Sequence, residues 1–467
     1  MKNKLIAFTA LFLISILFIS CEDRSELTSP EAPNLGSTNF AAFVAIGNSI
    51  TAGYQSGSLY EDAQMYSYPN LIAKQVGTEF IQPIISNPGT VGRMEIKSLN
   101  PFTITYNTNG GTLTNPTAPY YNNFGVPGIV LADVLSATSM INSFSKSPFL
   151  DLILRGKGTI YSQIKDLSGK KPTFITIWIG NNDVLGFATS GGVKPTSPTD
   201  PNVFGFLYSA LADSIASIGA KVVVANIPDV TAIPFFTTVG PTIAQKLSSL
   251  GITGMYYQLH GQYSGSVIPV SALANFNVLI TLLGQNYAGL IGTPTGKFYK
   301  DNNVDITPLI AGGILDTTKL FGLDPKNPWP DALILDASEI TTAKNATIAY
   351  NNYIAGLANS KGFGLVDINS IFNQIRSNDF AGGTVYDGVV FTTTYITGGL
   401  FSLDAVHPSS RGHAIVANEF IKVINAKWGA KIPLINVSTI PGSLIFAKQN
   451  PLSSLKFEDG SFDHLLF

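Results

Sequence analysis

Ser49 stands in Gly47-Asn48-Ser49-Ile50-Thr51-Ala52-Gly53, directly after the apolar run Phe43–Ile46. A serine between a strand and a helix can be an exposed nucleophile, or it can simply cap the helix. The first role needs a base and donors for a developing oxyanion. Far down the chain, Asp404 and His407 stand three apart in Ser402-Leu403-Asp404-Ala405-Val406-His407-Pro408-Ser409. In a turn, that spacing lets the carboxylate hold one imidazole nitrogen and leaves the other facing a nucleophile, as in a serine triad. The spacing also arises by chance. Trp178-Ile179-Gly180-Asn181-Asn182-Asp183 offers side-chain amide donors at a strand's end, or an Asx-turn. Asn123-Phe124-Gly125-Val126-Pro127-Gly128-Ile129 reads as a small-residue loop that can bring a backbone N–H beside a ligand. Of the four histidines, His413 falls in the helix expected over Arg411–Ile424 and reads as structural. His260 has no acidic or metal-type companion near it in sequence, and His464 has only Asp463. Both read as solvated or packed.

The elements that must position these groups are legible as apolar runs. Phe43–Ile46, Phe174–Ile179, Val222–Asn226 and Gly364–Ile368 are near-continuous, as expected of parallel strands covered on both faces. Helical spacing over Tyr68–Val76, Val203–Ile218 and Ala343–Ser360 alternates with them, which predicts a parallel α/β sheet. In such a sheet, sites lie at the carboxyl ends of the strands, where Ser49 and Asn182 fall. Three long excursions, near 85–121, 186–202 and 232–340, interrupt the pattern. The last is rich in Phe, Tyr, Leu and Ile and is expected to form a lid or subdomain, or to pack a core of its own.

Taken in order, the four blocks resemble the SGNH/GDSL hydrolase superfamily. G-N-S-I-T-A-G is similar to its first block, V-P-G to its second, G-N-N-D to its third and D-A-V-H-P to its last. The resemblance covers about 41–430 and implies a three-layer α/β/α sandwich with a five-stranded parallel sheet. It further implies nucleophile Ser49, base His407 oriented by Asp404, and oxyanion donors Ser49, Gly128 and Asn182, with no metal or cofactor. Asn48 departs from the family's usual Asp, which bears on loop hydrogen bonding and not on the triad carboxylate. Gly-x-Ser-x-Gly is absent around Ser49, which argues against the α/β-hydrolase fold.

Composition bounds the rest. With 45% hydrophobic residues in a chain of 467, a large core is assured. Only 12% of residues are charged and the formal net charge is −2, so there is no basic footprint for nucleic acid. One cysteine excludes disulfide frameworks and multi-cysteine metal sites. Gly292–Phe298 and Asp301–Asp305 only faintly suggest phosphate and calcium loops, and both lack required residues. Lys2 and Lys4, the apolar run Leu5–Ser20 and then Cys21 resemble a bacterial lipoprotein signal, the run being short of the roughly 20 residues that span a bilayer. The expected organisation is a signal peptide over 1–20, a lipidated Cys21 with a polar tether to 40, a hydrolase domain over 41–435 and an extension over 436–467. The expected localisation is exported, at the outer membrane or cell surface, with a membrane contact through the lipid. The expected substrate bears a carboxylic ester on a lipid, glycan or small molecule. A carbohydrate O-acetylesterase and a binding module that has lost turnover are the alternatives.

Overall fold

The computed structural model describes residues 32–194, 198–260, 262–442 and 444–447. Cys21, the signal expected before it and His464 lie outside the described residues. The strands are β1 (Phe43–Gly47), β2 (Asn123–Gly125), β3 (Phe174–Trp178), β4 (Lys221–Ala225) and β5 (Gly364–Val366). They form one parallel sheet in the order β2-β1-β3-β4-β5. Every residue of β1 and β3 is buried, because helices cover both faces. β2 corrects the sequence reading of 123–129 as a loop. It is a three-residue edge strand pairing Ala45 with Asn123 and Gly47 with Gly125.

The helices that matter here are α1 (Ser49–Ala52), α2 (Tyr68–Val76), α3 (Leu131–Ser136), α4 (Ile160–Lys165), α5 (Asn181–Thr189), α6 (Pro201–Ala216), α7 (Ala337–Ser360), α8 (Ile368–Ser377) and α9 (Ser410–Trp428). α9 packs on α2 and against β4 and β5. α7 also touches β4 and β5, and with α3, α4, α5 and α6 it forms a second connected layer. The result is the expected α/β/α sandwich. From β1 the chain crosses to β2 and then returns past β1 to β3, so the sheet has its topological switch at the carboxyl ends of β1 and β3. Open sheets of this strand order bind ligands in the crevice at that point.

The 232–340 insertion largely buries its own apolar residues. A second core gathers Met255, Leu273, Ile280 and Trp329 beside the hairpin Gly254–Leu259/Gln262–Pro269, while Phe236 joins the main core. The stretch expected to be a loose tether up to residue 40 is docked from Asn34 onward. Asn34 bridges to Lys431, Ser37 N–H donates to the Trp428 carbonyl at 3.0 Å, and Phe40 stacks on Phe174 with ring centroids 4.2 Å apart. The aromatic ring is the reason, since Phe40 is almost fully removed from water there. At the other end, Ile445 and Ala447 bond to Ile96 of the hairpin Arg93–Leu99/Phe102–Asn107. Among the described residues, no helix is long and apolar enough to cross a membrane.

Candidate active site

β1 delivers Ser49 through two close approaches that need glycine. A Cβ on Gly47 would lie 2.5 Å from the Trp178 carbonyl oxygen, and one on Gly125 would lie 2.2 Å from the Ala52 nitrogen. Strand ends and α1 can therefore crowd together, which sets Ser49 at the switch point. Asn48 caps α1, its Oδ1 accepting from Ile50 N–H at 3.1 Å. Ser49 itself begins the helix, where backbone N–H groups have no intrahelical acceptor.

The 402–408 loop meets Ser49 from across the chain. His407 Nε2 lies 2.8 Å from Ser49 Oγ, and His407 Nδ1 lies 3.0 Å from Asp404 Oδ2. Ala405 takes the left-handed conformation at φ 61° between them, which folds the carboxylate back toward the ring. Asp404 Oδ1 accepts from the N–H groups of Val406 and His407, and Oδ2 from that of Gly57 at 3.0 Å. Burial alone would raise the Asp404 carboxyl, but the facing His407 and these hydrogen bonds outweigh it and hold it down at about 2. An ionised Asp404 makes Nδ1 the donor and leaves Nε2 free to accept the serine proton. Tyr54 lays its ring 4.9 Å from that of His407 and fixes its other side.

Gly128 and Asn182 border the same open cleft as Ser49 and His407, a cleft of about 390 Å³. Gly128 has φ 82°, a conformation that suits glycine. Asn182 Nδ2 donates one hydrogen to the Ile129 carbonyl at 2.8 Å and has a second to offer. Asp183, next in the chain, ties the floor together by accepting from Leu131 N–H and the Thr199 hydroxyl; burial pushes its carboxyl up to about 7. The four sequence blocks thus converge on one cleft, with Ser49 and His407 within proton-transfer distance and Gly128 and Asn182 lining the same space. Sequence reasoning missed Tyr54 and Gly57. Their only signal was position, in the residues just after the first block.

The other histidines separate cleanly. His413, in α9, is fully buried and neither ring nitrogen has a partner among the described residues. Burial first, with the nearby His407 adding to it, lowers its pKa to about 3. His260 does have acidic companions, distant in sequence: Glu339 at 3.4 Å and Asp336 at 3.9 Å. Among the described residues these three offer donor atoms within 4.8 Å of one another, the set best able to hold a metal ion. The two carboxylates already serve another role. Asp336 Oδ1 accepts from the N–H groups of Ser338 and Glu339, and Glu339 Oε2 from Asp336 N–H, a reciprocal cap that starts α7.

A family model described as GDSL-like Lipase/Acylhydrolase matches residues 43–420, a span that includes every residue of the cleft named above. No curated protein matches the chain.

Proposed function

The chain belongs to the GDSL-like lipase/acylhydrolase family and hydrolyses ester bonds, and from that premise we propose that Ser49, His407 and Asp404 are its catalytic triad. One observation carries the assignment: the unbroken hydrogen-bonded chain from Ser49 Oγ through the imidazole to Asp404, at 2.8 and 3.0 Å. His407 Nε2 takes the hydroxyl proton as Oγ attacks the ester carbonyl. The tetrahedral oxyanion is held by the N–H groups of Ser49 and Gly128 and the free hydrogen of Asn182, each donor lowering the barrier by roughly 3–4 kcal/mol. Collapse expels the alcohol, which receives the proton from His407. Water, deprotonated by the same imidazole, then attacks the acyl-enzyme and frees the acid and Ser49. Asp404 stays ionised throughout, keeping the tautomer and stabilising the imidazolium.

A fluorophosphonate probe tests the nucleophile: it labels the parent chain, and Ser49→Ala abolishes labelling. Equal labelling of the variant overturns the assignment. Ser145, Lys146 and Ser147 line the open cleft beside Gly128 and suit a polar alcohol portion, which keeps a glycan ester as a second reading. The proposal also places the chain outside the cytoplasm, held to a membrane by lipid on Cys21. Cys21→Ser should then move it from the membrane fraction to the soluble one, and a variant that stays with membranes removes the anchor from Cys21.

A further inference from the structure

Two spaces open from Ser49, and they differ in chemistry. The cleft on the Gly128 side is open and carries Ser145, Lys146 and Ser147. On the other side, a narrow channel runs from Ser49 and His407 past Ile50, Pro228, Ile233 and Val406. Those same four residues also line a second cavity, of about 90 Å³, so the two adjoin across them. Beyond them the lining is almost wholly apolar, with Ile371, Phe372 and Ile375 from α8, Leu400, and Ile415 and Val416 from α9. The cavity follows α9 from Gly412 to Glu419, a run of about 10 Å at the helical rise. Glu419, paired with Lys422 at 2.6 Å, stands at that far end and offers an aliphatic tail nothing beyond it. Only Ile233 comes from the 232–340 insertion, so the apolar wall is built by α8 and α9 and not by a lid.

We propose that this cavity is the acyl subsite, and that it selects esters of short aliphatic acids, butyryl to hexanoyl, over acetyl and palmitoyl esters. The inference rests on Ser49 being the nucleophile, because the acyl carbon must sit at Ser49 for its chain to enter past Ile50 and Val406. Water in such a cavity finds no polar partner, so each methylene that replaces it is favourable. A cavity of this size is smaller than the ~150 Å³ that admits benzene, and it fills within a few methylenes. A sixteen-carbon chain has no room there.

The test is a series of p-nitrophenyl acetate, butyrate, hexanoate and palmitate with the full chain, in parallel with fluorophosphonate labelling. Butyrate should exceed acetate in kcat/KM by roughly fifteenfold, at about fourfold for each methylene buried, and palmitate should fall below hexanoate. Val416→Phe and Ile371→Phe, which fill the cavity from two different helices, should each lower the ratio of hexanoate to acetate kcat/KM at least tenfold. Acetate as the best substrate, or palmitate above hexanoate, overturns the subsite while leaving Ser49 catalysis standing. Variants that lose acetate and hexanoate equally overturn it too. Loss of probe labelling in the parent chain instead overturns the triad, and the subsite with it.

Discussion

His407 and His413 are six residues apart, and the loop and helix that hold them make opposite use of one side chain. The 402–408 loop leaves the His407 side chain 14% exposed, with a partner on each ring nitrogen. The first turn of α9, capped by Ser409, draws His413 entirely inside with no partner among the described residues. The ring that can exchange a proton is the one a left-handed turn at Ala405 holds at the surface. The regular helix converts its histidine into a packing group, held neutral far below the usual imidazole range. Residue type set neither role; the local backbone did.

The widest gap between the two regions should appear on deletion. His407→Ala should lower kcat by at least ~10⁴-fold, as should Ser49→Ala, since triad members act as a unit. If His413→Leu abolishes turnover of p-nitrophenyl butyrate and His407→Ala does not, the contrast is reversed and the triad is wrong. Asp404→Asn should follow with a loss of roughly 10³–10⁴-fold, because an amide can hold the imidazole in the wrong tautomer. Thermal unfolding of that variant should stay close to the parent's, and a collapse of the fold would assign Asp404 a structural role instead.

His413→Leu should leave kcat/KM within about tenfold, and its effect belongs to stability. An unfolded histidine titrates near 6.5 and the folded one at about 3. Between those values the unfolded chain binds a proton that the folded chain does not, so His413 costs stability as pH falls below 6.5. At pH 5 that cost is about 2 kcal/mol, and it vanishes above pH 7. Asp183 and Glu339, both pushed up to about 7 by burial, act with the opposite sign over much of this window, so the parent's own curve is a mixture. The difference between variant and parent isolates His413: denaturant unfolding should show the variant gaining on the parent from pH 7 to pH 5. A constant difference would mean that His413 titrates alike in both states. The smallest effect is expected at Asn48. An aspartate there could accept from Ile50 N–H as the amide does, so Asn48→Asp should change kcat/KM by less than tenfold. A gain of orders of magnitude would show that Asn48 holds the cleft in a suppressed form.

Much of this was readable from the chain. The long strands announced themselves through unbroken apolar runs, and Ser49, Gly128, Asn182, Asp404 and His407 through short blocks in a fixed order. β2 did not, because three residues, Asn123–Gly125, carry no period and their pairing with β1 is wholly non-local. α7 begins at Ala337, six residues before the expected start, where the reciprocal cap of Asp336 and Glu339 inside the excursion went unread. The grip of Gly57 on Asp404 joins residues 347 apart and leaves no local mark. The conspicuous aromatics of the insertion mostly bury one another, the own-core packing that the sequence offered beside a lid. The wall belongs to α8 and α9, and in α8 the apolar residues Ile368, Phe372 and Ile375 recur at helical spacing as part of the main core.

The docked segment from Asn34 to Phe40 decides how a pull on the amino end would be carried. Such a load passes first through the Asn34–Lys431 bridge, the Ser37–Trp428 hydrogen bond and the Phe40–Phe174 stack. All three are shared with the far end of α9 or the starting edge of the sheet. α9 then separates that grip from the His407 loop by about 27 Å of helix. Leash and mouth therefore sit at opposite ends of a single strut. A load on the one is borne before it reaches the other.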